Sequence, residues 1–129
     1  MKSLLRALLA VVSLLTLTVV HGAEVKPYDQ KTFDDLQAAG KPVLIHVYAD
    51  WCPTCKQQTP MISELLKAPE FKDYTVLKVN FDTQKDVRQA MRVAQQSTLI
   101  IYRGRSEVSR SVGDTSKESI AAGLRKANS

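Results

Sequence analysis

Residues Ala49–Lys56 read ADWCPTCK and hold both cysteines and the single tryptophan of this 129-residue chain. They follow VLIHVYA (43–49), an apolar and largely β-branched run that is typical of a strand buried on both faces of a sheet. From Cys52 onward the apolar residues recur at helical spacing. The stretch therefore predicts a buried strand, a tight connection and a helix that begins at Cys52.

The spacing of the two cysteines favours redox chemistry. On a helix, Cys52 and Cys55 share one face and lie close enough to form a disulfide. A bridge that closes so short a loop restrains the unfolded chain little, which argues against a purely structural disulfide. Free N–H groups and the helix dipole favour a thiolate at Cys52. We therefore expect a reversible pair, with Cys52 as the exposed, low-pKa nucleophile, Cys55 as the buried resolving thiol, and no further cofactor.

A zinc site is the main chemical alternative for the cysteines. Structural zinc takes four ligands, whereas the chain beyond residue 22 offers only Cys52, Cys55 and one histidine, His46. One subunit cannot complete such a site, so we expect no metal. A metal or iron–sulfur site shared between two subunits stays as an alternative.

The N-terminal residues are typical of a signal peptide. A positively charged start precedes a charge-free apolar run over residues 7–20, and small residues follow at Gly22 and Ala23. We expect cleavage after Gly22, with cleavage after Ala23 as the alternative, which gives a signal peptide (1–22) and one domain (23–129). An uncleaved membrane anchor is less favoured because the run is short for a span. Export predicts a periplasmic or secreted protein, in a compartment where disulfides persist.

The charge pattern bears on possible partners. The net charge is +5, but the charges are scattered, and no basic stripe carries interleaved aromatic residues. Nucleic acid is therefore not an expected partner. We expect a monomer whose partners are other proteins.

The remainder of the chain alternates between strand and helix patterns. A short strand is predicted near Val25, and a helix follows it with Thr32 as N-cap in a capping box with Asp35. The elements predicted after the cysteines are, in chain order, a helix with Pro60 inside it, a strand over 75–81, a helix over 84–94, a strand over 98–102, a strand over 106–112 and a helix capped by Thr115 with Glu118.

This order, β-α-β-α-β-α-β-β-α, predicts one α/β domain with a mixed central sheet flanked by helices. Helical crossovers make the first strands parallel, whereas the tight turn at RGR (103–105) makes the last two antiparallel.

A W-C-x-x-C motif at this place resembles the thioredoxin family. Pro60, Asp82, Gly104 and Gly113 also stand where that family has them. The segment KPVLIHVYADWC (41–52) further resembles the C-terminal reductase domain of periplasmic DsbD-type electron carriers. The resemblance implies a thioredoxin fold and an exported thiol–disulfide oxidoreductase. Its implied partners are protein disulfide substrates and a redox partner such as a membrane electron carrier.

The resemblance also assigns modulating roles around the cysteines. It implies that Trp51 forms a flat, partly exposed wall beside the site, with ordinary core packing as the alternative. Pro53 removes one N–H donor at the helix start, where that donor is free in any case. Pro53 and Thr54 together are expected to tune the stability of the thiolate and thus the reduction potential.

The first departure from the family is a histidine. Six residues before the first cysteine, where the family usually carries a buried aspartate, this chain has His46. The functional interpretation is a proton acceptor for Cys55, directly or through water, with a pKa closer to neutral than that of a carboxylate. The alternative is a core histidine with no part in the chemistry.

The second departure is the loss of a proline. The family's Ile-Pro-Thr, with its cis-proline, is Gln96-Ser97-Thr98 here. A cis bond before a non-proline residue costs roughly 2.5–4 kcal/mol, so we expect a trans bond before Ser97. The alternative is that the surrounding fold preserves the cis geometry. The Ser97 hydroxyl is expected near the sulfurs, where it can hydrogen-bond a thiolate.

The same loop contains the residues that the resemblance assigns to substrate binding. In the family its backbone pairs with a bound substrate strand, so Gln96, Ser97 and Thr98 are the expected substrate-binding residues. Without the proline we expect weak engagement of general substrates and a dedicated partner. The favoured function is a reductase. The alternatives are a disulfide oxidase or isomerase, which Pro53 favours, and a non-catalytic binding module, which Ser97 favours.

Overall fold

The computed structural model describes residues 22–128. Apart from Gly22, the predicted signal peptide lies outside these residues. Within the described range, no helix combines the length and the hydropathy that a membrane span requires.

The described chain forms five strands and four α-helices in the predicted order. They are β1 (Glu24–Pro27), α1 (Gln30–Ala38), β2 (Pro42–Tyr48), α2 (Pro53–Leu65), β3 (Thr75–Asn80), α3 (Lys85–Ala90), β4 (Thr98–Arg103), β5 (Ser106–Val112) and α4 (Lys117–Arg125). A short 3₁₀ helix that the sequence did not predict, Pro69–Phe71, lies between α2 and β3.

The strands form one mixed sheet in the order β1-β3-β2-β4-β5. β3 pairs in parallel with both β1 and β2, whereas β4 runs antiparallel to β2 and to β5. The connection from β4 to β5 turns at Gly104, whose φ of 56° lies in the left-handed region that glycine adopts without steric cost. The predicted parallel start and antiparallel end are confirmed.

Alternate residues of the central strand β2 enter two separate cores. Ile45 and Val47 pack in a cluster with Phe33 of α1. Leu44 packs in another cluster with residues of α2 and α4, including Ile120 and Leu124. Because β2 lies between β3 and β4 and is covered on both faces, its C-terminal end is a rigid place from which to present the cysteines.

Two helices begin at residues other than those predicted. The N-cap of α1 is Asp29, not Thr32, and its carboxylate accepts a hydrogen bond from the Thr32 N–H at 2.8 Å. The N-cap of α4 is Ser116, not Thr115, and its side chain accepts from the Ser119 N–H. Each stretch holds several residues able to cap a helix, and the one whose oxygen reaches a free N–H sets the start.

The third helix is shorter than predicted. The expected helix over 84–94 ends at Ala90, and Arg92 follows with a φ of 56°. A left-handed residue cannot continue a right-handed helix. The turn brings Val93 into the core and leaves Ala94 exposed, so the prediction of a helix beyond Ala90 is wrong.

Candidate active site

Strand β2 and helix α2 position the two cysteines. After β2, the Cys52 N–H donates to the Ala49 carbonyl at 3.2 Å. Cys52 is the N-cap of α2, and its Sγ accepts a hydrogen bond from the Cys55 N–H at 3.1 Å. Pro53 occupies the first turn of the helix. The predicted helix start at Cys52 is confirmed, and an N–H already points at the sulfur that would carry the charge of a thiolate.

The cysteines form a disulfide, and both are buried. The Cα atoms of Cys52 and Cys55 lie 5.3 Å apart, and the two residues are 1% and 3% exposed. The prediction that Cys52 is exposed is wrong for this disulfide form. The pair packs with Ala49, and Tyr48 and Phe81 lie against this cluster. An attacking thiol must therefore reach a shielded sulfur.

Ser97 lies against both sulfurs. Its Oγ is 3.1 Å from the Cys52 Sγ and 3.2 Å from the Cys55 Sγ, which confirms the predicted hydroxyl at the site. No peptide bond in the range 22–128 is cis, so the expected trans bond before Ser97 is also confirmed. Ser97 has a φ of 64°, a conformation that a non-glycine residue keeps only when its surroundings hold it.

The backbone of Ser97 is bonded within the fold. Its N–H donates to the Val47 carbonyl at 2.8 Å. Its carbonyl accepts from the Gly113 N–H at 3.0 Å and from the Gln58 Nε2 at 3.2 Å. These three bonds connect the loop to β2, to α2 and to the residue that follows β5.

The other two predicted substrate-binding residues differ in accessibility. Thr98 is 2% exposed, and its hydroxyl donates to the Gln95 carbonyl at 2.7 Å. Gln96 is partly exposed. The Thr98 side chain therefore has a local structural role, and Gln96 is the member of the trio with surface to offer a partner.

Gln58 is a site residue that the sequence analysis missed. It is fully buried on the inner face of α2, between Cys55 and Ile62. Its Nε2 donates to the carbonyls of Ser97 and Asp114, at 3.2 and 2.9 Å. The available signal was a glutamine in a helical stripe whose other members are apolar, at a position where burial requires hydrogen-bond partners.

His46 contacts Gln58 rather than a sulfur. Its Nε2 is 3.2 Å from the Gln58 Oε1, and the residue is 2% exposed. Burial lowers the pKa of His46 to about 4; the hydrogen bond to Gln58 opposes this shift and the nearby charge of Lys78 adds to it. The expected pKa close to neutral is therefore wrong. Direct proton exchange with Cys55 stays a prediction that no described contact supports.

The Trp51 side chain lies at the rim of the site. It is 55% exposed, and its Nε1–H donates to an Asp82 carboxylate oxygen at 2.9 Å. The predicted partial exposure is confirmed, and core packing is excluded. Pro53 is exposed and Thr54 is partly buried. Their tuning of the reduction potential stays a prediction.

A small cavity reaches the resolving cysteine. It has a volume of about 150 Å³ and is lined by Cys55, Thr59, Lys56 and Lys78, among others. Two lysines, Lys56 and Lys78, and one aspartate, Asp50, supply the charged groups of its lining. Between residues 22 and 128, no three His, Cys, Asp or Glu side chains are grouped closely enough to hold a metal ion.

Comparison with known proteins finds matches to thioredoxins over most of the chain. The sequence model of the family described as "Thioredoxin" matches residues 24–126. A thioredoxin of Chlamydia trachomatis is 38% identical over 96 residues, which are 74% of this chain and 91% of that protein. A bifunctional thioredoxin reductase/thioredoxin of Mycobacterium leprae is 29% identical over 103 residues, which are 80% of this chain and 22% of that longer protein.

One solved structure is similar in both sequence and shape. The crystal structure of Trxlp from Edwardsiella tarda EIB202 has a TM-score of 0.75 and 50% identity, over 79% of this chain and 97% of that one. The family match covers the strand, the cysteine pair and the helix that present the chemistry. The chain therefore belongs to the thioredoxin family, has the thioredoxin fold, and is a thiol–disulfide oxidoreductase with Cys52 and Cys55 as its redox pair.

Proposed function

We propose that this protein is an exported reductase that acts on the disulfide of a dedicated partner protein. The observation that carries the proposal is the trans bond before Ser97. In the family, a substrate strand pairs with the backbone just before the proline, which is Gln96 here, and a trans bond turns that backbone away from the pairing position, so the substrate loses main-chain hydrogen bonds. The Ser97 N–H is bonded to Val47, and its carbonyl is bonded to Gly113 and Gln58, which holds the loop in this form. Each lost bond is worth about 0.5–1.5 kcal/mol net, so two of them weaken general substrates roughly ten- to hundredfold.

The chemistry is a two-step exchange. The Cys52 thiolate attacks one sulfur of the partner's disulfide, forms a mixed disulfide and expels the other sulfur as a thiolate. The Cys55 thiolate then attacks the Cys52 sulfur and releases the second partner thiolate, and the Cys52–Cys55 disulfide re-forms. Two electrons pass to the partner, and the released thiolates take protons from water. A second protein dithiol, such as that of a membrane electron carrier, must reduce the pair again.

Groups at the site stabilise the Cys52 thiolate. The Cys55 N–H donates to the Cys52 sulfur, and the Ser97 hydroxyl lies within donating distance. Hydrogen bonds to a charged acceptor are stronger than neutral ones. The same stabilisation favours the reduced protein and hence a more oxidising disulfide. This observation keeps a disulfide oxidase or isomerase as the second candidate function.

The reduction potential separates the two candidates. Equilibration of the domain with glutathione or dithiothreitol gives the potential of the Cys52–Cys55 pair. A value near about −270 mV supports the reductase, whereas a value near about −120 mV supports the oxidase and overturns the proposal.

Insulin reduction tests the dedicated partner. We expect the wild type to be roughly ten- to hundredfold slower than an ordinary thioredoxin. Equal rates would contradict this part of the proposal. Ser97→Pro is expected to raise the rate, because proline cannot adopt a φ of 64° or donate to Val47, so the loop must rearrange. The matched control is Ser97→Ala, which keeps the N–H but removes the hydroxyl.

Export is supported by the leader pattern, with its apolar run over residues 7–20 and its small residues at 22 and 23. The narrower likeness of residues 41–52 to DsbD-type reductase domains favours the periplasm. We further propose a monomer that uses no cofactor besides its own disulfide and does not bind nucleic acid. Mass spectrometry of the exported protein tests the leader, since cleavage after Gly22 leaves a chain that begins at Ala23.

A further inference from the structure

The buried amide of Gln58 has a fixed orientation. Its Nε2 donates to the carbonyls of Ser97 and Asp114, and its Oε1 faces the His46 Nε2. Exchange of the amide nitrogen and oxygen would place the oxygen against two carbonyls, so this network assigns the orientation. The Gln58 Oε1 therefore accepts from an Nε2–H of His46. The two donated bonds and the one accepted bond give the nitrogen and the oxygen of this fully buried amide their partners, which offsets the cost of its burial.

The position of Ser97 depends on its neighbours. Its φ of 64° is not a conformation that the local chain favours. The Gln58 amide and the Gly113 N–H hold its carbonyl, and the Val47 carbonyl holds its N–H. With the backbone fixed in this way, the Ser97 hydroxyl lies 3.1 and 3.2 Å from the sulfurs of Cys52 and Cys55.

We propose that Gln58 is a positioning residue for thiol–disulfide exchange: it holds the Ser97 carbonyl and thereby aims the Ser97 hydroxyl at the cysteine sulfurs, with His46 orienting the amide. This inference rests on the proposed function, because it names how the same site stabilises its thiolates. Two of the partners of Gln58, His46 and Ser97, are buried, and Asp114 is partly buried. Of these three, Ser97 is the residue whose side chain lies within hydrogen-bond distance of the sulfurs.

One hydroxyl serves two sulfurs in turn. In the reduced protein, the Ser97 O–H donates to the Cys52 thiolate. In the mixed disulfide, the Cys52 sulfur is bonded to the partner and carries no charge, and the attacking thiolate is Cys55. Because the hydroxyl lies at nearly equal distance from both, rotation about its Cβ–Oγ bond moves the hydrogen bond from one sulfur to the other without moving the backbone.

A double-mutant cycle tests this coupling. The four proteins are the wild type, Gln58→Met, Ser97→Ala and the double variant. The readout is the pKa of the Cys52 thiol in the reduced protein, from the pH dependence of iodoacetamide alkylation. Methionine matches the length of glutamine but has no N–H donor. The charged groups beside the site, Lys56, Lys78 and Asp50, are the same in all four proteins.

We expect Ser97→Ala to raise the pKa of Cys52 by about one, because it removes one charge-assisted hydrogen bond. Gln58→Met is expected to raise it by a similar amount in the Ser97 background and by almost nothing in the Ser97→Ala background. The exposed neighbour supplies the control, since Gln57→Met should leave the pKa unchanged. An equal effect of Gln58→Met in both backgrounds, or no effect in a folded variant, overturns the proposal.

A second measurement needs no substitution. Nitrogen chemical shifts of the wild-type His46 ring report its tautomer, and we expect protonation at Nε2. Protonation at Nδ1 alone would remove the donor to Gln58 and overturn the assigned orientation. These outcomes are independent of the proposed function, which fails instead if the wild type has the potential of an oxidase.

Discussion

The two faces of the central sheet are buried in different ways. On the face covered by α1 and α3, Val43, Ile45 and Val47 of β2 enter a cluster of apolar and aromatic residues. On the face covered by α2 and α4, the same strand places the buried His46 against Gln58. One strand thus supports an apolar core on each side, and on the second side Leu44 packs in that core while His46 joins a buried polar network.

Apolar burial and a buried polar network have different energetic consequences. An apolar core gains free energy in proportion to the area removed from water, and its contacts are not directional. A buried polar network contributes little net free energy, but a missing partner costs the full desolvation of the group left behind. The apolar clusters on both faces therefore hold the fold, and the polar network on the second face also fixes positions relative to Cys52 and Cys55.

The largest expected effect comes from the cysteines. Cys52→Ser should reduce disulfide reductase activity by about a thousandfold or more, the scale of losing a nucleophile. Cys55→Ser should also abolish turnover, but it should accumulate a mixed disulfide with the partner that non-reducing electrophoresis detects. Accumulation of that species with Cys52→Ser instead would reverse the assignment of nucleophile and resolving thiol.

A substitution in the apolar cluster under α1 and α3 should change the free energy of unfolding but not the redox chemistry. Leu77 of β3 is fully buried in the cluster under α1 and α3. Leu77→Ala should lower the free energy of unfolding by about 2–5 kcal/mol, because it removes apolar contacts and leaves a cavity. Urea unfolding measures this loss. The reduction potential should stay at the wild-type value, and a shift comparable to that of Ser97→Ala would mean that the two faces are coupled.

The buried polar network of His46 and Gln58 should make the free energy of unfolding depend on pH. The pKa of His46 is lowered from 6.5 to about 4 by burial, so the unfolded chain binds a proton more readily than the folded one. The contribution of His46 to the free energy of unfolding is fully present above pH 6.5. It falls as the pH decreases toward 4, at about 1.4 kcal/mol per pH unit, for a total of about 3 kcal/mol. Urea unfolding at several pH values measures the slope.

Other groups with lowered pKa values act in a lower window. The carboxyls of Glu64 and Glu70 are paired with Lys117 and Arg125, which lowers their pKa below the ordinary 4.5. Their contributions decline only below about pH 4.5, so the interval from 6.5 to 4.5 isolates His46. His46→Leu should remove the slope there. A wild type with constant stability across that interval would contradict the burial of a neutral histidine.

The sequence carried most of the fold and part of the site. The element order was predictable because the apolar run of β2 and the helical stripes are local patterns, and W-C-x-x-C is a strong motif. Helix starts were less predictable, since Asp29 and Thr32 are both able to cap α1 and only the folded geometry selects one. The burial of Cys52 depends on Ser97 and Phe81, which are distant in sequence.

The network at the site needed the structure. Gln58 and the Ser97 carbonyl are 39 residues apart in sequence, and Gln58 and Asp114 are 56 apart. No local pattern indicates which carbonyls a buried amide will meet. The sequence placed His46 in the strand that leads to the cysteines, but its partner and its low pKa follow from the packing of α2 against the sheet.

The smallest expected effect is at the rim of the site, where Trp51 tests whether contacts outside the buried polar network influence the Cys52 thiolate. Its indole N–H donates to the Asp82 carboxylate, and both residues are exposed. Trp51→Phe should lower the free energy of unfolding by about 0.5–1.5 kcal/mol, since it removes one hydrogen bond that water partly replaces. Asp82→Ala should have a similar effect, and the double variant should lose no more than either single one. The pKa of Cys52 should change much less than in Ser97→Ala, because the Trp51–Asp82 bond lies outside the buried network. A change of equal size would show that this rim contact, too, controls the thiolate.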